Sequence, residues 1–227
     1  MQISLIGRSV SGQSLKAFEF RPKVLEQKSK ASTTFIFAGK HGNVVEGVIA
    51  CEALLGALLE RNPFSFPIFL VPNLNPDGVY RLTRTNLQGV DLNRNFPTQD
   101  WSPIATDPKY PPGPYAGSEP ETQAIIQYIQ THRPAHIISL HSFSNFMLNT
   151  NGDCVDLAQS ISRINSYKVD PSIGYPTPGS FGTYAVEQGL SCLTYELERG
   201  MGFKQIVDHH LPALWAGLDF IEKKMES

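Results

Sequence analysis

Charge is scarce in this chain of 227 residues. Only 18% are Asp, Glu, Lys or Arg, and 19 cations against 21 anions leave a formal charge of -2. No basic run stands out, so the electrostatics give no case for nucleic acid or an anionic membrane as partner. Cysteine is scarce too. Cys51, Cys154 and Cys192 are widely spaced and form no C-x-x-C pair, which argues against a disulfide scaffold and fits a reduced, cytoplasmic protein. No apolar run reaches the ~18 residues of a membrane span. The start, Met-Gln-Ile-Ser-Leu-Ile-Gly-Arg, lacks the basic-then-apolar layout of a signal peptide. A Gly-x-Ser-x-Gly elbow is also missing, which counts against a serine hydrolase. What is present is apolar matter: 41% hydrophobic and 10% aromatic residues. At this length that supports a sizeable core without staples and excludes a disordered chain.

Apolar, β-rich runs alternate with helical patterns, which predicts α/β layers. Strands are expected at Ser14–Phe20, Thr33–Ala38, Phe66–Pro72, His136–His141 and Leu190–Leu197. Several are nearly continuous apolar runs, as central strands covered on both faces should be. Helices are expected at Val44–Glu60, Glu119–His132, Val155–Ser166 and Lys204–Lys224, with Ser118 capping the second. The Pro- and Gly-containing stretch from Pro97 to Gly117 is long for a connection and is of the length that often lines a site. No repeat or linker interrupts the pattern, so one domain over 1–227 is expected.

Functional residue types concentrate in four segments, each at or just beyond a predicted strand end, where open α/β sheets place their ligands. The first is Gly39-Lys40-His41-Gly42-Asn43-Val44-Val45-Glu46. The second runs from Asn73-Leu74-Asn75-Pro76-Asp77-Gly78 through Arg81 and Arg84 to Gly89-Val90-Asp91-Leu92-Asn93-Arg94-Asn95-Phe96. Asn-Pro-Asp-Gly is turn chemistry. Arg84 and Arg94 offer planar donor forks suited to a carboxylate, and Asn93 adds an amide. The third is Ser139-Leu140-His141-Ser142, and the fourth Thr194-Tyr195-Glu196-Leu197-Glu198-Arg199. An acid inside an apolar strand is costly unless paired or functional. Glu196 and Glu198 alternate onto one side, which leaves one as a base and the other as a partner for Arg199 or Arg163.

These segments, in this order, resemble the zinc carboxypeptidase superfamily, and most nearly its bacterial murein peptide amidase branch. The likeness runs from Gly7-Arg8-Ser9 to the last predicted helix. The resemblance implies a three-layer α/β/α sandwich around a mixed, largely parallel sheet. It also implies a Zn2+ enzyme cleaving a peptide or amide bond next to a free carboxylate in small murein peptides. His41 and His141 would be zinc ligands, within a set of two histidines and a carboxylate. Asp91 would orient His41, and Glu196 would be the general base. Arg84 would polarise the scissile carbonyl, and Asn93 and Arg94 would hold the substrate carboxylate. Gly174–Gly182 resembles the specificity loop of the amidase branch, with Tyr175 as a candidate closing hydroxyl.

One departure stands out. The family's first motif is His-x-x-Glu, whereas this chain reads His41-Gly42-Asn43-Val44. The nearest carboxylate is Glu46, and a helix would turn it ~140° away from His41. Asn43-Val44-Val45-Glu46 also fits a capping box. Three accounts remain open: Glu46 as substitute ligand, zinc on two histidines, or Val44 as an inactivating change. A binding protein that holds carboxylate-bearing peptides without cleaving them is the competing function.

Overall fold

The computed structural model describes residues 1–22, 33–105 and 107–226. Along the chain come β1 (Gln2–Arg8), β2 (Ser14–Phe20), β3 (Thr34–Phe37), α1 (Val45–Glu60), β4 (Ile68–Val71) and α2 (Pro76–Arg81). A short 3-10 turn at Leu92–Arg94 precedes α3 (Pro120–His132), β5 (His136–Phe143), β6 (Met147–Asn151) and α4 (Val155–Asn165). The chain closes with β7 (Val169–Asp170), α5 (Phe181–Glu187), β8 (Cys192–Glu198) and α6 (Phe203–Glu226). The strands form one mixed sheet in the order β1-β2-β4-β3-β5-β8-β6-β7. Its centre, β4-β3-β5-β8, is parallel, while β1, β2 and β6 join antiparallel.

The apolar runs are explained by burial on both sheet faces. Ile36, Leu70, Ile138, Leu140 and Leu193 pack under α1, α4 and α6. Their alternates Phe35, Phe37, Phe69, Val71 and Ile137 pack under α3 and α5. This is the expected three-layer α/β/α arrangement. All five predicted strands and all four predicted helices are present, with ends shifted by a few residues. Three local readings differ. The residue capping α3 is Glu119, without a side-chain cap bond, and the Ser118 hydroxyl donates to Glu119 instead. The expected capping box at α1 is absent, because the N-cap is Val44 and Glu46 is engaged elsewhere. Glu198 lies exposed at the end of β8 and pairs with neither Arg199 nor Arg163.

The Asn-Pro-Asp-Gly segment does more than turn the chain. Asn75 caps α2 by accepting from Gly78 N at 2.9 Å, and its Nδ2 donates to Lys40 O at 3.2 Å. Asp77 accepts from the Ser11 hydroxyl and from Gln13 Nε2, tying down the β1–β2 turn. The loop after β3 then presses on α2 backbone to backbone: a Cβ at Gly42 would fall 1.9 Å from the Gly78 carbonyl carbon. Gly42→Ala is therefore expected to destabilise the fold by about 3 kcal/mol or more, since backbone rather than a side chain must yield. Urea unfolding measures it, and a midpoint equal to the parent's would disprove the close approach.

Candidate active site

The C-terminal ends of the parallel strands bring the four segments together. β3 ends at Phe37 and leads through Ala38, Gly39 and Lys40 to His41, and the β5–β8 register sets His141 opposite Glu196. Between them opens a cleft of about 110 Å³, lined among others by His41, Arg84, Asn93, Arg94, His141, Tyr175 and Glu196. A larger groove of about 450 Å³ lies beside β2 and α1, lined by Lys16, Phe18, Glu52 and Leu55 among others. It carries no comparable convergence of ionisable groups, the mark of a site of chemistry.

The two imidazoles lie with ring centroids 5.1 Å apart. His41 Nε2 donates to Asp91 Oδ1 at 3.0 Å, and a carboxylate can only accept here, so Nδ1 keeps its lone pair. His141 Nε2 is held by Ser139 Oγ at 3.1 Å. Burial pushes the His41 imidazole down to about 4 and His141 well below its ordinary value. Both rings are neutral, the form that binds a metal. Burial works against the charge on Asp91. The hydrogen bond from His41 and the Arg84 guanidinium outweigh it and hold the carboxyl well below the usual range.

Asp91 is the hub of the arrangement. Besides His41, it accepts from Asn93 N at 2.9 Å, capping the 3-10 turn, and from Arg84 Nε at 2.8 Å. Arg84 and Arg94 both lie over the Tyr110 ring, 4.6 and 5.1 Å from its centroid. Tyr110 comes from the long stretch after Pro97, and it orders two like charges by offering each a π-face. Arg94 is 4% exposed, and its Nε has no hydrogen-bond partner among the described residues. Gly179, at φ +70°, lets the next loop close on this turn, since a Cβ there would fall 2.3 Å from Arg94 O. That loop delivers Tyr175 to the cleft mouth, beside Phe143.

Glu196 is buried, and desolvation pushes its carboxyl up to about 7, against the opposing pull of Lys40 and Arg84. A carboxylate poised near neutrality is suited to moving a proton. Lys40, which the sequence reading passed over, is buried under the cleft floor. Its Nζ donates to Asn93 Oδ1 at 3.1 Å, and desolvation lowers it to about 7. The signal available in sequence was a cation directly before a ligand-type histidine at the end of an apolar strand. Arg81, by contrast, is an exposed residue of α2 outside the cleft.

Glu46, the candidate third ligand, has its carboxylate engaged by other partners. Its Oε2 accepts from the Ser142 hydroxyl at 2.7 Å and its Oε1 from Gly200 N at 2.8 Å. It joins β5 to the turn after β8, and no three His, Cys, Asp or Glu side chains among the described residues come together as a metal-binding group. Val44, at the position of the family's carboxylate ligand, is buried at 4% exposure. The two neutral imidazoles fit a divalent metal.

Residues 1–200 match the family model described as zinc carboxypeptidase. Murein peptide amidase A of Vibrio campbellii is 32% identical over 84% of this chain and 77% of its own length. The Escherichia coli K12 protein of that name is 33% identical over 71% and 69%. The crystal structure of murein-tripeptide amidase MpaA from Escherichia coli O157 superposes with a TM-score of 0.79 at 27% identity, covering 98% of this chain and 92% of that one. Carboxypeptidase A from Helicoverpa armigera, at 21% identity, shares the fold with a TM-score of 0.80, over 99% of this chain and 68% of that one. No helix among the described residues is long and apolar enough to cross a membrane. With the matched span, the ordered motifs and the superposed fold in agreement, this chain belongs to the zinc carboxypeptidase family.

Proposed function

We propose that this chain is a peptidase or amidase for small murein peptides, acting on the bond next to a residue with a free carboxylate. The γ-D-glutamyl–diaminopimelate bond is the bond of choice. The observation that carries the reading is the convergence of Arg84, Arg94 and Asn93 on one cleft with Glu196. Two planar guanidinium forks and an amide in one cleft suit a ligand carboxylate. The similarity to murein peptide amidases points to the same ligand chemistry.

In this reading Arg94 and Asn93 hold the substrate carboxylate. Arg84, braced by Asp91 and stacked on Tyr110, meets the scissile carbonyl and stabilises the oxyanion that forms there. Glu196 takes a proton from the attacking water and passes it to the leaving amine. Tyr175 closes over the bound peptide from the cleft mouth. Zn2+ held by His41 and His141 would supply Lewis-acid polarisation and a more acidic water.

Val44 and the engaged carboxylate of Glu46 favour a second reading: recognition of the same peptides without cleavage. Metal content separates the two. The enzyme reading predicts near one zinc per chain by elemental analysis after preparation with zinc, and diaminopimelate released from L-Ala-γ-D-Glu-diaminopimelate. Folded, metal-free protein that binds this tripeptide and leaves it intact would overturn it in favour of binding alone.

A further inference from the structure

The structure assigns Lys40 the role of a positioning residue: its buried ammonium holds the Asn93 carboxamide so that Nδ2 faces the cleft as a donor to the ligand carboxylate. The inference rests on the proposed carboxylate-binding role of the cleft. Two donors meet on one atom of Asn93. Lys40 Nζ donates to Oδ1 at 3.1 Å, and Phe181 N, the first residue of α5, donates to the same oxygen at 3.0 Å. The Phe181 backbone N–H can only donate, and the ammonium form of Lys40 does the same, so the oxygen of the carboxamide is the atom that points inward. Asn93 also lines the cleft. Its NH2 edge is left for the cleft side, which Arg94 also lines.

The ammonium itself is placed by apolar matter rather than by ion pairing. Lys40 is 2% exposed, and Nζ lies over the faces of Phe181, Phe37 and Phe96 at 4.9, 5.1 and 6.0 Å from their centroids. No carboxylate lies within ion-pair distance of it among the described residues. A charge kept in an aromatic cage with a single side-chain acceptor is an expensive way to build a core, since an apolar residue of similar volume commonly serves stability as well or better. What the charge accomplishes here is orientation. Were the carboxamide to flip, Nδ2 would face two donors and Oδ1 would face the incoming carboxylate, and binding would be lost twice over.

The test is calorimetric binding, in chelator so that no turnover intrudes, of L-Ala-γ-D-Glu-diaminopimelate and of its carboxamide derivative. Wild-type protein should prefer the carboxylate form by about 30-fold or more, as expected for charge-assisted hydrogen bonds. Lys40→Met should keep its melting temperature or raise it, and should cut the preference about tenfold. Asn93→Ala should show a similar loss, and the double variant should lose no more than Asn93→Ala alone, whereas a merely structural role for Lys40 would add to it. If Lys40→Met fails to fold, Lys40→Leu decides. It also removes the Nζ donor while leaving Asn93 and Phe181 in place, so the preference should fall as far. A wild-type preference that survives in either variant overturns the role of Lys40. Absence of any preference in the wild type overturns the carboxylate-binding reading itself.

Discussion

Val44→Glu is expected to raise zinc affinity at least about 100-fold and to raise hydrolysis of the tripeptide with it. Changes to residues that merely orient metal ligands already move affinity 10–100-fold, and this substitution adds a ligand. The site is prepared for it. Val44 is buried, three residues after His41, and its N–H bonds back to His41 O at 3.2 Å, which fixes a tight turn from one position to the other. It is also the N-cap of α1, without a side-chain cap bond, where the helix dipole favours an anion. Glu46 need not move, because its bonds to Ser142 and Gly200 stay intact. A second readout follows from linkage. Without metal the new carboxylate is buried unpaired and should lower the melting temperature. With zinc it should raise it well above that of the parent. Chelator competition and paired melts make the measurement. A folded Val44→Glu protein with unchanged zinc affinity would show that position 44 does not face the imidazoles.

The fold was readable wherever burial is two-sided. Runs such as Phe66-Pro67-Ile68-Phe69-Leu70-Val71 carry their own evidence, and β3, β4, β5 and β8 all came from such runs. The edge strands were not readable. β1 exposes Ile3 and Leu5, and β7 is two residues long, so neither presents a pattern that alternation can find. The site was legible where a residue type is costly in its setting: an acid in a buried strand, a histidine ending one, arginines in close company. Glu46 was harder to read because its partners, Ser142 and Gly200, lie 96 and 154 residues away. Tyr110 and Lys40 escaped for the same reason. A tyrosine in a proline-rich loop says nothing until Arg84 and Arg94 are seen to stack on it. A lysine reads as surface until three aromatic rings close around it.

Glu196→Gln is expected to reduce tripeptide hydrolysis by about 10²–10⁴-fold, the usual contribution of a positioned base, while leaving peptide affinity within a few-fold. The amide is isosteric with the carboxyl and fits the same buried place on β8, so the register against His141 should hold. Two pH dependences accompany the loss. Burial raises the Glu196 carboxyl, so its basic form is depleted toward acid pH, and wild-type turnover should fall as pH drops through the titration of Glu196. Stability runs the other way. A carboxyl raised on folding binds its proton more tightly in the folded chain than in the unfolded one. Its favourable contribution is therefore complete below the unfolded value of ~4.3 and is lost as pH rises through about 7. Glu196→Gln cannot lose a proton. In metal-free protein it should gain stability relative to wild type between pH 5 and pH 8, measured by urea unfolding at the two values. Retained turnover would remove Glu196 from its role as base. Lost turnover with no differential pH effect on stability would mean that Glu196 is ionised throughout this range, and its work as a base would then owe nothing to a raised proton affinity.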